Sequence, residues 1–291
     1  MQDERRKMSI FSRNPDPMGP LDYSRRFSLR FTVAVTLFFL YAPIIGLIVF
    51  SFNDSRRNIV WRGFTTDYYV KLFNNDALML AFGNSLTIAL FTTLFSTVLG
   101  ALTAYVLWRY RFPGKAVYEG GMALPIVIPE ICMGVAMMVF FARIGWPSGM
   151  IWPFNLSAIT IAHIAFSFPF AAIVIRARLE SFNPELAECA RDLGASEYRV
   201  FRDVVVPHMK PGLIAGALLA FTLSLDDFVI TFFTSGPDTV TFPVKIYSMV
   251  RFSVTPEVNA ASTVLILLTL VVTAFALRMQ NRNNMLGSAA H

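Results

Sequence analysis

Three carboxylates, Glu130, Asp226 and Asp227, stand in stretches otherwise apolar enough to cross a lipid bilayer. A charge at membrane depth costs about 3 kcal/mol on insertion scales, so each needs a water-filled cavity or a partner. Glu130 follows Pro125 and Pro129, and helix breakers in mid-span free carbonyls that can face a cavity. Asp226 and Asp227 lie among Phe228, Phe232 and Phe233. Neighbours on a helix point about 100° apart, so one Asp is expected to face a pore and the other to brace packing. An Arg or backbone donor from a neighbouring helix would make any of the three structural instead. His163, alone in an apolar run, reads equally well as packing and is not counted among the site residues. No Lys or Arg lies inside an apolar run, so the chain offers no fixed cation for an anion. Carboxylates amid aromatic rings suit an organic cation, by ion pairing and cation–π contact. Ammonium groups on a methylene chain, as in polyamines, match both halves; a metal ion or a basic amino acid stays open.

A second group of residues bears on partners rather than cargo. The hydrophilic break from Arg176 to Pro211 divides into two short helices. Asn183 is a fair N-cap, Pro184 suits the first helical position, and Glu185 and Glu188 favour the positive end of the dipole. Gly194 is a natural stop, and Ser196–Glu197 starts a second helix expected to run to Pro207 and Pro211. Ala187, Ala190 and Gly194, three or four apart, give a small-residue face beside Glu188, Arg191 and Asp192. Such a helix fits a cleft in a soluble protein; it equally fits an ordinary solvated loop, and the residues alone leave both.

The elements that must position these groups are membrane helices. Hydrophobic residues make up 55% of the 291 and charged residues 15%, where soluble domains carry about 25%. Six runs reach the roughly 20 residues a bilayer needs, near 31–52, 82–107, 121–141, 156–175, 212–235 and 258–277. The fold class is therefore all-α and integral to a membrane. Of the 25 basic residues, 18 fall in 1–30, 108–120, 176–211 and the tail from Arg278, which places both termini and the docking segment in the cytoplasm. The net charge of +6 is mostly this topology signal; no clustered basic face points to nucleic acid. The first run is too long for a signal-peptide core. Cys132 and Cys189 form neither a metal spacing nor a plausible disulfide.

Residues 1–30 read as a cytoplasmic arm, 31–277 as one six-helix domain with the docking region at 183–207, and 278–291 as a cytoplasmic tail. A short interfacial helix is expected at 66–73, another over Val244–Phe252, and a rigid turn at 142–155 around Trp146, Pro147, Trp152 and Pro153.

The spacing Glu188-Cys189-Ala190-x3-Gly194-x9-Val204-x-Val206-Pro207 resembles the cytoplasmic loop of permease subunits of ATP-binding-cassette importers, with Cys189 and the two valines as modest departures. Ser51-Phe52-Asn53-x-Ser55, Trp61-x-Gly63-Phe64-Thr65-Thr66, Asn75-Asp76, Ser224-Leu225-Asp226-Asp227 and Pro256-Glu257-Val258-Asn259-Ala260 are similar to spermidine/putrescine permeases of the C type. The resemblance spans nearly the whole chain. It implies a type I importer permease fold in the bacterial inner membrane, and a coupling helix carried by Glu188, Cys189, Ala190, Gly194 and Pro207. It implies a polyamine pathway through Trp61, Glu130, Ser224, Asp226 and Asp227. The implied partners are a second, homologous permease, two ATPase copies that hold the ATP and Mg, and a periplasmic binding protein that loops 53–80 and 236–257 receive. The chain has no Gly-rich phosphate loop with a Lys, so it is expected to be no enzyme and to carry no cofactor of its own. An aspartyl hydrolase needs two acids from different helices, which adjacent aspartates do not supply. A passive channel would carry flux without an ATPase.

Overall fold

The computed structural model describes residues 27–55, 60–144, 156–236, 239–252 and 255–288. Residues 145–155 of the expected 142–155 turn and most of the N-terminal arm lie outside them, and 142–144 end a helix. The chain divides into two units, 1–50 and 51–291. The described part of the first is one helix, α1 (Phe27–Phe50), predominantly apolar beyond Arg30 and with Pro43 inside it.

In the second unit the regular structure of the described residues is helical, beside an isolated bridge, Asn53–Phe64. The helices are α2 (Asp67–Phe73), α3 (Asp76–Arg109), α4 (Lys115–Val127), α5 (Glu130–Ile144), α6 (Ser157–Glu180) and α7 (Pro184–Asp192). They continue with α8 (Glu197–Val200), a π-helical stretch at Phe201–Val205, α9 (Val206–Leu225), α10 (Val229–Thr234), α11 (Phe242–Phe252) and α12 (Pro256–Ser288). Among the described residues of the two units, five segments are long and apolar enough to cross a membrane, and six if the bent pair α4–α5 counts as one.

The core is the three-way packing of α3, α6 and α9. Its logic is visible in α3, where Ser85, Ala89, Thr92, Ser96, Gly100 and Ala104 are buried at intervals of three or four. Lipid tails are as apolar as leucine, so close backbone approach by small residues does the work that hydrophobic burial does in water. At Gly100 the backbones come close: a Cβ there would lie 2.9 Å from the backbone nitrogen of Ala172 and 3.0 Å from the Ala171 Cβ.

Two expected spans differ from continuous helices. The third breaks at Ile128–Pro129 into α4 and α5, bent by 108°. Pro129 explains this, since the residue before a proline is pushed out of the helical region, and Ile128 has ψ 135°. Pro125, by contrast, sits inside α4 without ending it. The fifth span starts far earlier than Gly212, because one run continues from Glu197 to Leu225. Pro207 and Pro211 end nothing: the π-helical turn at 201–205 ends two residues before Pro207 and includes Asp203, so this widening makes room for a ring that would otherwise meet the carbonyl four residues back. The fifth span then breaks after Leu225. The last helix runs past residue 277 to Ser288, so the backbone of the expected tail continues as helix that far. Elsewhere expectation and structure agree closely, as in α2 and α11.

Candidate functional site

The two breaks meet. Helix α5 packs along α10, and Gly134 admits the contact: a Cβ at Gly134 would lie 2.7 Å from the Phe233 ring and 3.4 Å from Ile230 Cα. Phe141 of α5, Ala158, Ala162 and Phe166 of α6, and Ile230 of α10 close one apolar cluster around them. Glu130 is the first residue of α5, immediately after the first break, and Asp226 and Asp227 form the second. Glu130 is exposed and lies within electrostatic reach of both aspartates. Three acids from two elements are thus gathered where both spans lose helical continuity.

The aspartates are not alike. They sit at a helix break rather than on a continuous helix as expected, so the 100° argument does not apply; what differs between them is burial. Asp226 closes α9, its N–H bonded to Thr222 O at 3.2 Å, and its side chain is exposed. Asp227 turns inward with its side chain only 4% exposed. Its Oδ1 accepts from Ile230 N at 3.3 Å, and its Oδ2 accepts from Thr231 N and Thr231 Oγ1, both at 2.8 Å. The carboxylate therefore takes up free N–H groups of the first turn of α10, where negative charge is stabilised. Behind it lies His163, 3.2 Å from Asp227 Oδ2 and 2.8 Å from Ser224 Oγ. His163, left out of the sequence expectations, is central to the site. Only a pairing of position 163 with positions 224 and 227, invisible in one sequence, would have revealed it.

Helix α7 forms as its residues dictate. Asn183 Oδ1 accepts from Glu185 N at 3.0 Å, and Pro184 opens the helix. Gly194 has φ +86° and closes the helix with two bonds: Gly194 N to Arg191 O at 2.8 Å, and Ala195 N to Ala190 O at 3.0 Å. Arg191 spans the turn to Glu197, Nε to Oε1 at 2.6 Å and Nη2 to Oε2 at 3.4 Å, and this hydrogen bonding holds the guanidinium pKa above its ordinary value. The three small residues differ in burial, with Gly194 exposed. Ala187 is buried and Ala190 packs beside it, against a cluster containing Ala104, Ile175, Leu179, Phe182, Val200 and Met209. Alanines there let α7 lie flat on its own chain, with Ala190 partly buried against it. The free face is Glu185, Leu186, Glu188, Cys189, Asp192 and Leu193, with Leu193 89% exposed. Pro207 lies in the continuous run below, not at a terminus.

Trp61 is carried by a different element, the loop between residue 51 and α2. Buried Asn53 organises this loop, donating from Nδ2 to Val60 O and accepting from Arg62 N at Oδ1, both at 2.9 Å. Phe52 stacks on Phe64 at 5.3 Å, and Ser51 Oγ meets Tyr69 OH at 2.6 Å. Beside it opens a cleft of about 1000 Å³ lined by Asp54, Arg62, Lys71 and Glu257 among others, which joins the loop to the start of α12.

Long apolar spans, two of them broken beside acidic residues, and a polar helix–turn–helix between spans define a membrane transport subunit. Residues 96–284 match the model of the binding-protein-dependent transport system inner membrane component, and the chain belongs to that family. It is 44% identical over 234 residues to the spermidine/putrescine transport system permease protein PotC of Escherichia coli strain K12, covering 80% of this chain and 86% of that one. It is 40% identical over 231 residues to the putrescine transport system permease protein PotI of the same strain, covering 78% and 82%. In fold it matches a chain of the bacterial alginate ABC transporter, crystallised with an alginate pentasaccharide-bound periplasmic protein, with a TM-score of 0.68, 20% identity and coverage of 97% and 96%. The fold is that of the permease subunits of ABC importers.

Proposed function

We propose that this chain is one of two membrane-spanning subunits of an ATP-driven importer that moves putrescine or spermidine inward across the bacterial inner membrane. The observation that carries the cargo is its 44% identity to a spermidine/putrescine permease, with three acids and no span-borne Lys or Arg at the breaks. An ammonium group entering a low-dielectric passage needs a fixed negative partner, and Asp226 and Glu130 are exposed to provide it. Trp61 would stand at the entrance, with its loop and the adjoining cleft receiving a periplasmic binding protein.

Both termini and α7 face the cytoplasm in this reading, as the basic-residue bias requires. There α7 docks by its free face into one of two ATPase copies, which bind the ATP and Mg; the second copy serves a homologous permease across the pore. ATP binding draws the two coupling helices together and opens the pore outward; hydrolysis relaxes it inward. The chain's own task is translocation, not chemistry.

The test is uptake by the reconstituted complex, offered radiolabelled putrescine, spermidine, basic amino acids and divalent metals. Polyamine uptake that requires ATP is expected, and Asp226→Asn should raise the half-saturating concentration about tenfold, the worth of one charge-assisted contact. Uptake of a metal or amino acid in preference to polyamines would overturn the cargo, and flux without nucleotide would overturn the importer.

A further inference from the structure

His163 is 2% exposed, yet nothing in the transport cycle above uses it. It rises from α6 and reaches both halves of the broken fifth span. Its Nδ1 lies 2.8 Å from Ser224 Oγ, one residue before the end of α9. Its Nε2 lies 2.9 Å from Thr231 Oγ1 in α10 and 3.2 Å from Asp227 Oδ2 in the break. The proton positions follow from counting. Thr231 Oγ1 spends its one proton on Asp227 Oδ2, so it can only accept from His163, and Nε2 must carry a hydrogen. Ser224 can then donate to Nδ1, which satisfies the ring in its neutral form. Asp227 accepts from Ile230 N, Thr231 N and Thr231 Oγ1, and His163 Nε2 lies against the same Oδ2 at 3.2 Å, so the carboxylate is occupied on its inner side. Asp226, next in the chain, is exposed, and no other described residue ion-pairs with it.

We propose that His163 is a positioning residue for transport: it clasps Ser224, Thr231 and Asp227 across the break and occupies the Asp227 carboxylate. Asp226 is thereby left as the member of the pair that offers its charge to an ammonium group. The identity of that cation rests on the polyamine reading; the clasp does not. A buried network of this kind fixes one arrangement of two helix ends that backbone bonding no longer holds together. Losing it mis-sets the passage without removing the charge that meets the cargo.

The assembled importer in proteoliposomes separates these effects. His163→Phe deletes both bonds at similar volume and is expected to lower maximal polyamine uptake about tenfold at a nearly unchanged half-saturating concentration, the opposite split from Asp226→Asn. His163→Gln, whose amide can still donate toward Asp227, should recover to within about threefold of the parent. His163→Phe added to Asp227→Asn should cost little more than Asp227→Asn alone, because the same contact is already gone. Parental uptake by His163→Phe, no rescue by His163→Gln, or full multiplication with Asp227→Asn would each overturn the clasp. The nitrogen NMR spectrum of labelled imidazole in the unsubstituted complex judges it independently of cargo and of variant folding. A protonated Nε2 is expected, and a bare Nε2 overturns the assignment. If the unsubstituted complex takes up no polyamine, the cargo reading fails while the spectrum still decides the clasp.

Discussion

Substitution of Gly194 separates backbone from contact at the α7 turn. Its φ is +86°, and a Cβ built there would meet nothing within 4 Å. A new side chain is therefore opposed by conformation and not by packing within the chain. For L residues the left-handed region costs about 1–2 kcal/mol, least for Asn, more for Ala and most for a β-branched residue. Each kcal/mol shifts the population of the turn about fivefold. Abandoning the turn breaks the bonds from Gly194 N to Arg191 O and from Ala195 N to Ala190 O, which fix how α8 leaves α7. Ala187, Ala190, Ala195 and Val200 all pack on the one cluster under this turn, so α7 would lift from the body that it is meant to move. The expected order of damage is Asn, then Ala, then Val. The assay is uptake per ATP hydrolysed in proteoliposomes, beside the amount of chain inserted, which should not change. Coupling that falls as far in Gly194→Asn as in Gly194→Val would mean that size against the partner matters and backbone does not. Full coupling in Gly194→Val would refute the hinge altogether.

What the sequence disclosed and what it concealed divide along physical lines. Local chemistry was legible: Asn183 and Pro184 start α7, Gly194 stops it, Pro129 breaks the third span, and Thr66–Phe73 brackets α2. Each follows from residues within a few positions of one another. The break after Leu225 was not legible, because no Pro or Gly marks it; Asp227 makes it by taking the N–H groups of α10 that a continuous helix would have used. Prolines misled in the other direction, since Pro207 and Pro211 lie in a run that a π-helical turn keeps intact. The direction in which α7 turns its alanines was hidden too, because a stripe of small residues looks the same whether it meets a partner or its own chain. His163 was out of reach for the same reason: its partners are 61 and 68 residues away, and only packing brings them near.

Two further substitutions test the surfaces on which this reading depends. Leu193→Asp, at a position 89% exposed, should leave the folded chain as stable as before while the ATPase no longer copurifies; an intact complex would place docking on another face. The α3–α6 crossing is tested by Gly100→Ala. The added Cβ would fall 2.9 Å from the Ala172 nitrogen and 3.0 Å from the Ala171 Cβ, and neither atom can move by a change of rotamer. The two helices themselves must part, and overpacking of this kind costs about 1–3 kcal/mol. A Cβ at Gly121 of α4 would meet nothing within 4 Å, so Gly121→Ala is the matched control and should be neutral or slightly stabilising. Thermal unfolding of the purified complex reads the difference. The crossing governs more than stability, because α6 carries His163 at one end and the ion pair from Arg176 Nη1 to Glu119 Oε1, 2.7 Å, near the other. A shift at Gly100 should therefore lower uptake as well as melting temperature. Gly100→Ala melting with Gly121→Ala would mean that the interface yields freely, and that the small-residue stripe on α3 does not set the helix spacing.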